Sequence, residues 1–491
     1  MITPRANPLP CPPMPLLTSS KLRARNSERF SEAENSAGES FEPSPRRPTH
    51  SLILDIHPAD RCRLLDLDCS VPVENTWRRV RSIRGKQLPA MSLFRLALAV
   101  SLWLAAPKVA ACDDSAYGTL VDSFQARLNA ITRREALPGA VAAFGLKDCP
   151  IAVAAAGFAD VERRVPIAPD AKFMSGSIGK SFVAALVLDL ANDGYLSLDQ
   201  KIEKWLGTAP WFDRLPNAHD VTLRMLLNHS SGIPDYLFTT RFLHAVLLKR
   251  YFGDPRAPFS PEQLIAIVLD RAPLFPAGGG YNYTDTEYVL LGLIVERATG
   301  RTYYDLLGER ILGPLQLTLT VPADRLEIPG LVSGYHRWLS PLPSKVTDGK
   351  GALLFHPQTE WTGGGLATNP RDLVSWGLQL YEGRAFKWHY LELLNGSFNP
   401  LHGGLATAYG MGLFVYATPL GEAYGHSGWF PGYTGSMLYF PASRLAVAFQ
   451  TNTDRAGNSL DYLLELAKVA MPSAVVEHGE STLESEMPSR H

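Results

Sequence analysis

The sequence predicts an α+β fold: one antiparallel sheet built from N- and C-terminal segments of a globular body, flanked by helices, with a large, mostly helical inserted region. Three observations predict it. Two apolar, strand-like runs lie early in the body, at Gly139–Leu146 and residues 151–156. Two more lie late, at residues 435–440 and 445–450, joined by the turn Pro441-Ala442-Ser443-Arg444. Between these pairs, residues 210–395 read as helices and long loops, so both ends of the body must supply the sheet.

The elements follow in order. Residues 117–134 read as a helix, because Leu120, Phe124 and Leu128 recur at four-residue spacing and Val121 extends that face. Lys147-Asp148 is the turn between the first two strands, and Gly157 follows the second. Residues 180–193 read as a helix with Phe182, Leu186 and Leu190 on one stripe, Val183 and Val187 beside it, and Gly194 as the stop. Residues 201–206 form a short amphipathic stretch. Asn369-Pro370-Arg371-Asp372 combines a capping Asn, a first-turn Pro and a nearby acid, a helix start. A closing helix is expected over residues 457–470, followed by a polar, flexible tail over 471–491. The sequence contains no internal repeat.

Composition narrows the classes. Of 491 residues, 46% are hydrophobic and 19% charged, which suffices for a large core. Residues 1–90 carry 14 basic and 10 acidic residues, whereas 112–491 carry 31 and 38, a net of −7. A mildly acidic body without a basic face gives no reason to expect nucleic acid as a partner. Residues 1–50 are rich in Pro, Ser, Arg and Glu and bury too little apolar surface to offset their ordering entropy, and the first ninety residues do not read as a domain. They read as an extension that arises from an upstream start codon ahead of a true start at Met91, or as a genuinely disordered extension. Residues 91–111 have the layout of a signal peptide: basic Arg95, an apolar run over 96–106 broken only by Ser101, and small residues at Val109-Ala110-Ala111. The body, residues 113–470, is therefore expected to be exported, periplasmic or secreted. Cys112 has two readings, a lipidated N-terminus that attaches the protein to a membrane or a disulfide with Cys149.

Ser-x-x-Lys occurs once, at Ser177 and Lys180, just ahead of the apolar helix. A serine hydroxyl needs a nearby base to become a nucleophile, and residues three apart on a helix share a face. Gly176 and Gly179 leave room for a substrate at the backbone. No His-Glu-x-x-His or Cys-x-x-Cys pattern is present, so neither a metal nor another cofactor is expected. An α/β-hydrolase would need Gly-x-Ser-x-Gly, and residues 175–179 and 425–429 each miss one glycine. The glycine runs at Gly278 and Gly363 lack the continuation of a phosphate loop.

The stretch from Phe173 to Lys180 and its following helix resembles the nucleophile region of the class C β-lactamase and DD-carboxypeptidase family. Further matches come in family order: Asn228-His229-Ser230-Ser231-Gly232, Tyr283-Thr284-Asp285, Gly363-Gly364-Gly365-Leu366, and His426-Ser427-Gly428-Trp429. The resemblance spans residues 139–451 and implies a β-lactamase/transpeptidase-like fold. It also implies roles. Ser177 would form an acyl-enzyme, Lys180 and Tyr283 would share proton transfer, and His426 would bind a substrate carboxylate or tune Tyr283. The backbone N–H groups of Ser177 and Trp429 would form the oxyanion hole, with Asp285, Ser427 and Gly428 at the substrate. Tyr283, held among cations, would lose its proton more easily. His229 reads as a structural turn or capping residue.

One residue departs from the family pattern. Asp285 stands where well-known relatives have Asn, and an ionised Asp offers only acceptors. It could pair with Lys180, which would favour the charged lysine and oppose its use as base. An ester, or a substrate presenting an amine, then fits better than a plain amide. The leading expectation is a serine hydrolase acting on a small-molecule or peptide acyl substrate, a D-amino-acid peptide, ester or related compound. The alternatives are a β-lactamase and a catalytically silent binding protein on the same fold. The oligomeric state stays open.

Overall fold

The computed structural model describes residues 114–471 except 148, 337–343, 387–389, 391–396 and 456. The expectations for the extension, the signal segment, Cys112 and residues 472–491 lie outside the described residues. Cys149 is disulfide-bonded. Among the described residues no helix is long and apolar enough to cross a membrane.

Helix α1 (Asp114–Arg134) precedes strands β1 (Gly139–Leu146) and β2 (Ala152–Asp160) and the short strands β3 (Val165–Pro166) and β4 (Phe173–Met174). Helix α2 (Gly179–Asn192) opens the inserted region. It continues through α3 (Glu203–Leu206), α4 (Leu223–Leu227), α5 (Thr240–Phe252), α6 (Pro261–Ile265), α7 (Asp285–Thr299) and α8 (Tyr303–Leu307). Strands β5 (Val321–Pro322) and β6 (Leu366–Thr368), helix α9 (Pro370–Tyr381) and edge strands β7 (Asn399–Pro400), β8 (Ala406–Tyr409) and β9 (Phe414–Thr418) follow. Strands β10 (Gly421–Phe430), β11 (Tyr433–Phe440) and β12 (Leu445–Thr451) and helix α10 (Ser459–Ala470) complete the described fold.

Nine strands form one sheet in the order β3-β2-β1-β12-β11-β10-β9-β8-β7. Its centre joins the two ends of the body: β1 pairs antiparallel with β12, Val141 opposite Gln450. Side chains alternate across a strand, so each central strand feeds two cores. Phe144, Leu445, Val447 and Phe449 pack beneath α1 and α10 with Phe124, Leu128, Leu463 and Leu466. Ala143, Ala446, Ala448 and Met437 join the opposite core with Phe182, Val374 and Trp376 from α2 and α9. Phe182 stacks on Trp376 at 4.4 Å between ring centroids, and the indole Nε1 donates to Ser181 Oγ at 3.0 Å. That pair fixes α2, and hence its N-terminal end, over the sheet.

The sheet assembled from both ends, the hairpin at 441–444, the Asn369 cap and the helical insertion agree with the sequence reading. Asn369 Oδ1 accepts from the Arg371 N–H at 2.8 Å. Some boundaries differ. Strand β2 runs through Gly157, at φ +85°, to Asp160, because a glycine there lets the backbone pass the Pro138 carbonyl and keep pairing. The amphipathic stretch at 201–206 condenses to the single turn α3. Strands β7, β8 and β9 had no clean two-residue alternation in the sequence.

Candidate active site

The chain turns sharply just before α2. Gly176 sits at φ +50° and opens a 3₁₀ turn, Gly176–Ile178, that carries Ser177. A Cβ on Gly176 would lie 2.4 Å from the Trp429 carbonyl oxygen and 2.5 Å from its nitrogen. A Cβ on Gly428 would lie 1.9 Å from the Ser175 oxygen. Strand β10 therefore presses directly on the Ser177 turn, and only glycine permits the approach. Gly179 similarly abuts Gly364, 3.0 Å from its Cα. This corrects the expectation that Gly176 and Gly179 open the backbone to substrate: protein backbone fills that space.

Lys180 follows on the first turn of α2 and is completely buried. Its Nζ donates to Ser177 Oγ at 3.1 Å and to the Gly363 carbonyl at 2.7 Å, and it is ion-paired with Asp285 Oδ1. Three acceptors match the three donors of an ammonium. Asp285 opens α7, where the helix dipole favours an acid, and Thr284 Oγ1 caps the helix by accepting from the Thr286 N–H at 3.1 Å. The Asp285 N–H in turn donates to Asp235 Oδ1 at 3.1 Å.

Tyr283 lies beside this pair, its ring centroid 4.9 Å from Lys180 Nζ. Its buried hydroxyl faces Ser177 without forming a well-aligned hydrogen bond. Burial, then the Asp285 charge, push this phenol well above its ordinary value of 10.0. The expectation of easier deprotonation is thus corrected, because Asp285 offsets the cation that would have favoured a phenolate. Tyr283 rests as a neutral phenol.

His426 projects from β10 against Phe414 and Tyr283, with ring centroids at 4.9 and 6.0 Å. Its Nδ1 meets the Ser427 carbonyl at 2.6 Å, and its buried Nε2 has no partner among the described residues. Burial and the Lys180 charge lower it from 6.5 to about 3. A neutral imidazole is a poor receptor for a substrate carboxylate, so that expected role does not fit. Ser427 also departs from expectation. Alternation along β10 turns it away from His426, and its Oγ is engaged with Ser436 Oγ at 2.8 Å, which contacts Ser459 Oγ at 2.8 Å. Gly428 and Trp429 meet the Ser177 turn through their backbone. His229, at φ +61° and fully buried, pairs with Glu287, in keeping with a structural turn residue.

Two acids were missed in the sequence. Asp235, raised to about 6 by burial and the Asp285 charge, closely follows the matched Asn228-His229-Ser230-Ser231-Gly232 segment. Glu360, raised to about 8 by burial and then Asp285, precedes the glycine-rich loop. Their closeness to matched motifs was the available signal. A cavity of about 380 Å³ adjoins the site, walled by Leu237, Phe242, Phe259, Phe355 and Trp429, with Glu360 also in its lining.

The buried His426 yields a testable outcome. A folded imidazole that refuses the proton an unfolded one accepts near 6.5 costs stability as pH falls from about 6.5 toward about 3. NMR titration of the His426 ring should show no protonation step until the pH approaches about 3. A midpoint near 6.5 would contradict the geometry.

The Beta-lactamase family profile matches residues 122–470. Penicillin-binding protein 4* of Bacillus subtilis (strain 168) is 25% identical over 315 residues, covering 61% of this chain and 64% of that protein. A D-aminopeptidase of Gluconobacter oxydans (strain 621H) is 28% identical over 368 residues, covering 72% of this chain and 63% of that protein. The chain thus spans a little under two thirds of the length of these curated relatives. Among solved structures, a D-stereospecific amidohydrolase from Streptomyces sp. aligns with a TM-score of 0.59 at 28% identity, covering 70% of this chain and 97% of that one. The fold is β-lactamase/transpeptidase-like, and the chain belongs to the Beta-lactamase family.

Proposed function

We propose that this protein is a serine hydrolase that forms an acyl-enzyme on Ser177 and acts on a D-amino-acid peptide, amide or ester. The observation that carries the reading is the hydrogen bond from buried Lys180 to Ser177 Oγ. Holding a lysine wholly out of water is costly, and here its amine lies at the serine hydroxyl, where a base for Ser177 is needed. The D-aminopeptidase and D-stereospecific amidohydrolase relatives support the substrate class.

The chemistry follows from the contacts. Lys180 Nζ can pass a proton to Asp285 Oδ1 across their direct contact. With that proton on the carboxyl, the amine accepts the Ser177 proton as Oγ bonds to the acyl carbon. The charge that develops on the carbonyl oxygen meets the backbone N–H groups of Ser177 and Trp429. Tyr283, a neutral phenol, donates its proton to the leaving nitrogen or oxygen and regains one from Lys180. Water then attacks the acyl-enzyme by the reverse route and frees Ser177.

Intact-mass labelling tests the nucleophile. A fluorophosphonate should add one mass increment to the wild type and none to Ser177→Ala; equal labelling of both would sink the assignment. A parallel incubation with a penicillin separates the β-lactamase alternative, which requires a penicilloyl adduct or turnover at the same serine.

We further propose that the protein is exported, with residues 91–111 removed. The disulfide at Cys149 supports an oxidising compartment. N-terminal sequencing of the exported protein should begin near Cys112, and a mature chain starting at Met1 would refute the proposal.

A further inference from the structure

Helix α5 carries apolar residues on every side, yet none of its residues is buried. An ordinary surface helix turns one apolar stripe inward and charged or polar residues to water. The inward stripe is present here. Phe242 rests on Tyr236 and Phe259, with ring centroids at 5.4 and 5.8 Å, and Lys249 Nζ lies 4.1 Å over the Phe259 ring. The opposite side is apolar as well. Leu247, Leu248, Tyr251 and Phe252 stand at i, i+1, i+4 and i+5, which share one broad helix face, and Leu248, Tyr251 and Phe252 are exposed. Phe252, at 86%, and Phe238, just before the helix at 79%, are the most exposed large apolar side chains among the described residues. A cluster of this kind marks a surface that meets something other than water.

The charge around the cluster identifies the partner. Residues 236–259 carry Arg241, Lys249, Arg250 and Arg256 against Asp254 alone, a net of +3, whereas residues 112–491 net −7. Arg241 falls between Leu248 and Phe252 on the helical wheel, and Arg250 falls on the flank of the same face. Arg241 donates to the Ile267 carbonyl at 3.2 Å and Lys249 to the Ala257 and Pro258 carbonyls, neutral acceptors that leave each charge uncancelled. Asp270, the acid that feels Arg241, is paired with Arg214. A second copy of this chain would set like charge against like. An anionic bilayer surface suits both features at once, with phosphates for the guanidinium groups and an interfacial layer for the aromatic and aliphatic side chains.

We propose that the outer face of α5 is a membrane-docking surface, which seats the protein on an anionic phospholipid bilayer through Leu248, Tyr251 and Phe252, with Arg241 and Arg250 at the headgroup phosphates. The docked face adjoins the cleft. The Phe238 ring lies 6.1 Å from the Trp429 ring, and the Trp429 backbone presses on Gly176 beside the nucleophile. Docking therefore sets the cleft close to the lipid surface. The inference does not depend on acylation at Ser177.

Cosedimentation of the full chain with lipid vesicles tests it, with an equal mixture of phosphatidylglycerol and phosphatidylcholine set beside phosphatidylcholine alone. The wild type should bind the anionic vesicles roughly tenfold to hundredfold more tightly, the scale for two or three basic residues at such a surface. Added salt should weaken that binding. Leu248→Asp with Phe252→Asp removes the apolar contact, and Arg241→Glu with Arg250→Glu reverses the charge. All four side chains are exposed, so both double variants should unfold cooperatively, and each should lose at least about tenfold in affinity for the anionic vesicles. Hydrogen exchange gives a local readout: the amides of Thr240–Phe252 should slow when anionic vesicles are added to the wild type. Equal binding to both vesicle types, binding to neither, or full binding by both variants with α5 unprotected overturns the proposal. A dimer that Leu248→Asp with Phe252→Asp abolishes, in a wild type that binds no vesicles, would assign the face to a second copy of the chain instead.

Discussion

The Lys180 ammonium is the point on which the site is built. It is buried completely, and its three contacts come from three separated stretches of chain: Ser177 one turn earlier, Asp285 at the start of α7, and Gly363 ahead of β6. A charge in that position survives only if every donor is met, so each of those stretches must arrive in register. The rest of the fold can be understood as the means of delivery. The Phe182–Trp376 stack holds α2, the Thr284 cap starts α7 at Asp285, and glycines 176, 364 and 428 let three backbones converge within van der Waals contact.

The electrostatics around that lysine set this chain apart from a site tuned by cations. Asp285 compensates Lys180 locally, so Tyr283 meets a carboxylate as well as an ammonium and stays protonated. His426, walled by aromatic rings, stays neutral as well. A neutral phenol beside a Ser–Lys contact suits proton donation to a leaving group better than proton removal from the serine.

Much of this was legible in the sequence, for physical reasons. The apolar stripe of α2 and the central strands β1, β11 and β12 are buried on both faces, so their residues are almost wholly apolar and announce themselves. Ser177, Lys180, Tyr283 and His426 do come together, as their order along the chain implied, and Asp285 pairs with Lys180 as its chemistry suggested. Other features depend on packing that no local pattern encodes. That Gly176 and Gly428 serve backbone contact and not substrate is visible only once β10 lies on the Ser177 turn. The direction of Ser427 depends on strand phase, which a strand interrupted by glycines at 421, 425 and 428 does not reveal. Glu360 and Asp235 look like ordinary surface acids in sequence, and their burial arises from long-range closure of the cleft.

The central claim, that Lys180 activates Ser177, is tested most directly by the rate of Ser177 phosphonylation when the charged pair is removed together. Lys180→Met combined with Asp285→Asn takes away both charges and leaves neither ion buried alone. The account predicts phosphonylation at least about a hundredfold slower than wild type, the usual scale for loss of a positioned base, with cooperative unfolding retained. A cooperatively folded double variant that reacts within about threefold of the wild-type rate, far short of the loss expected for a missing base, would contradict it.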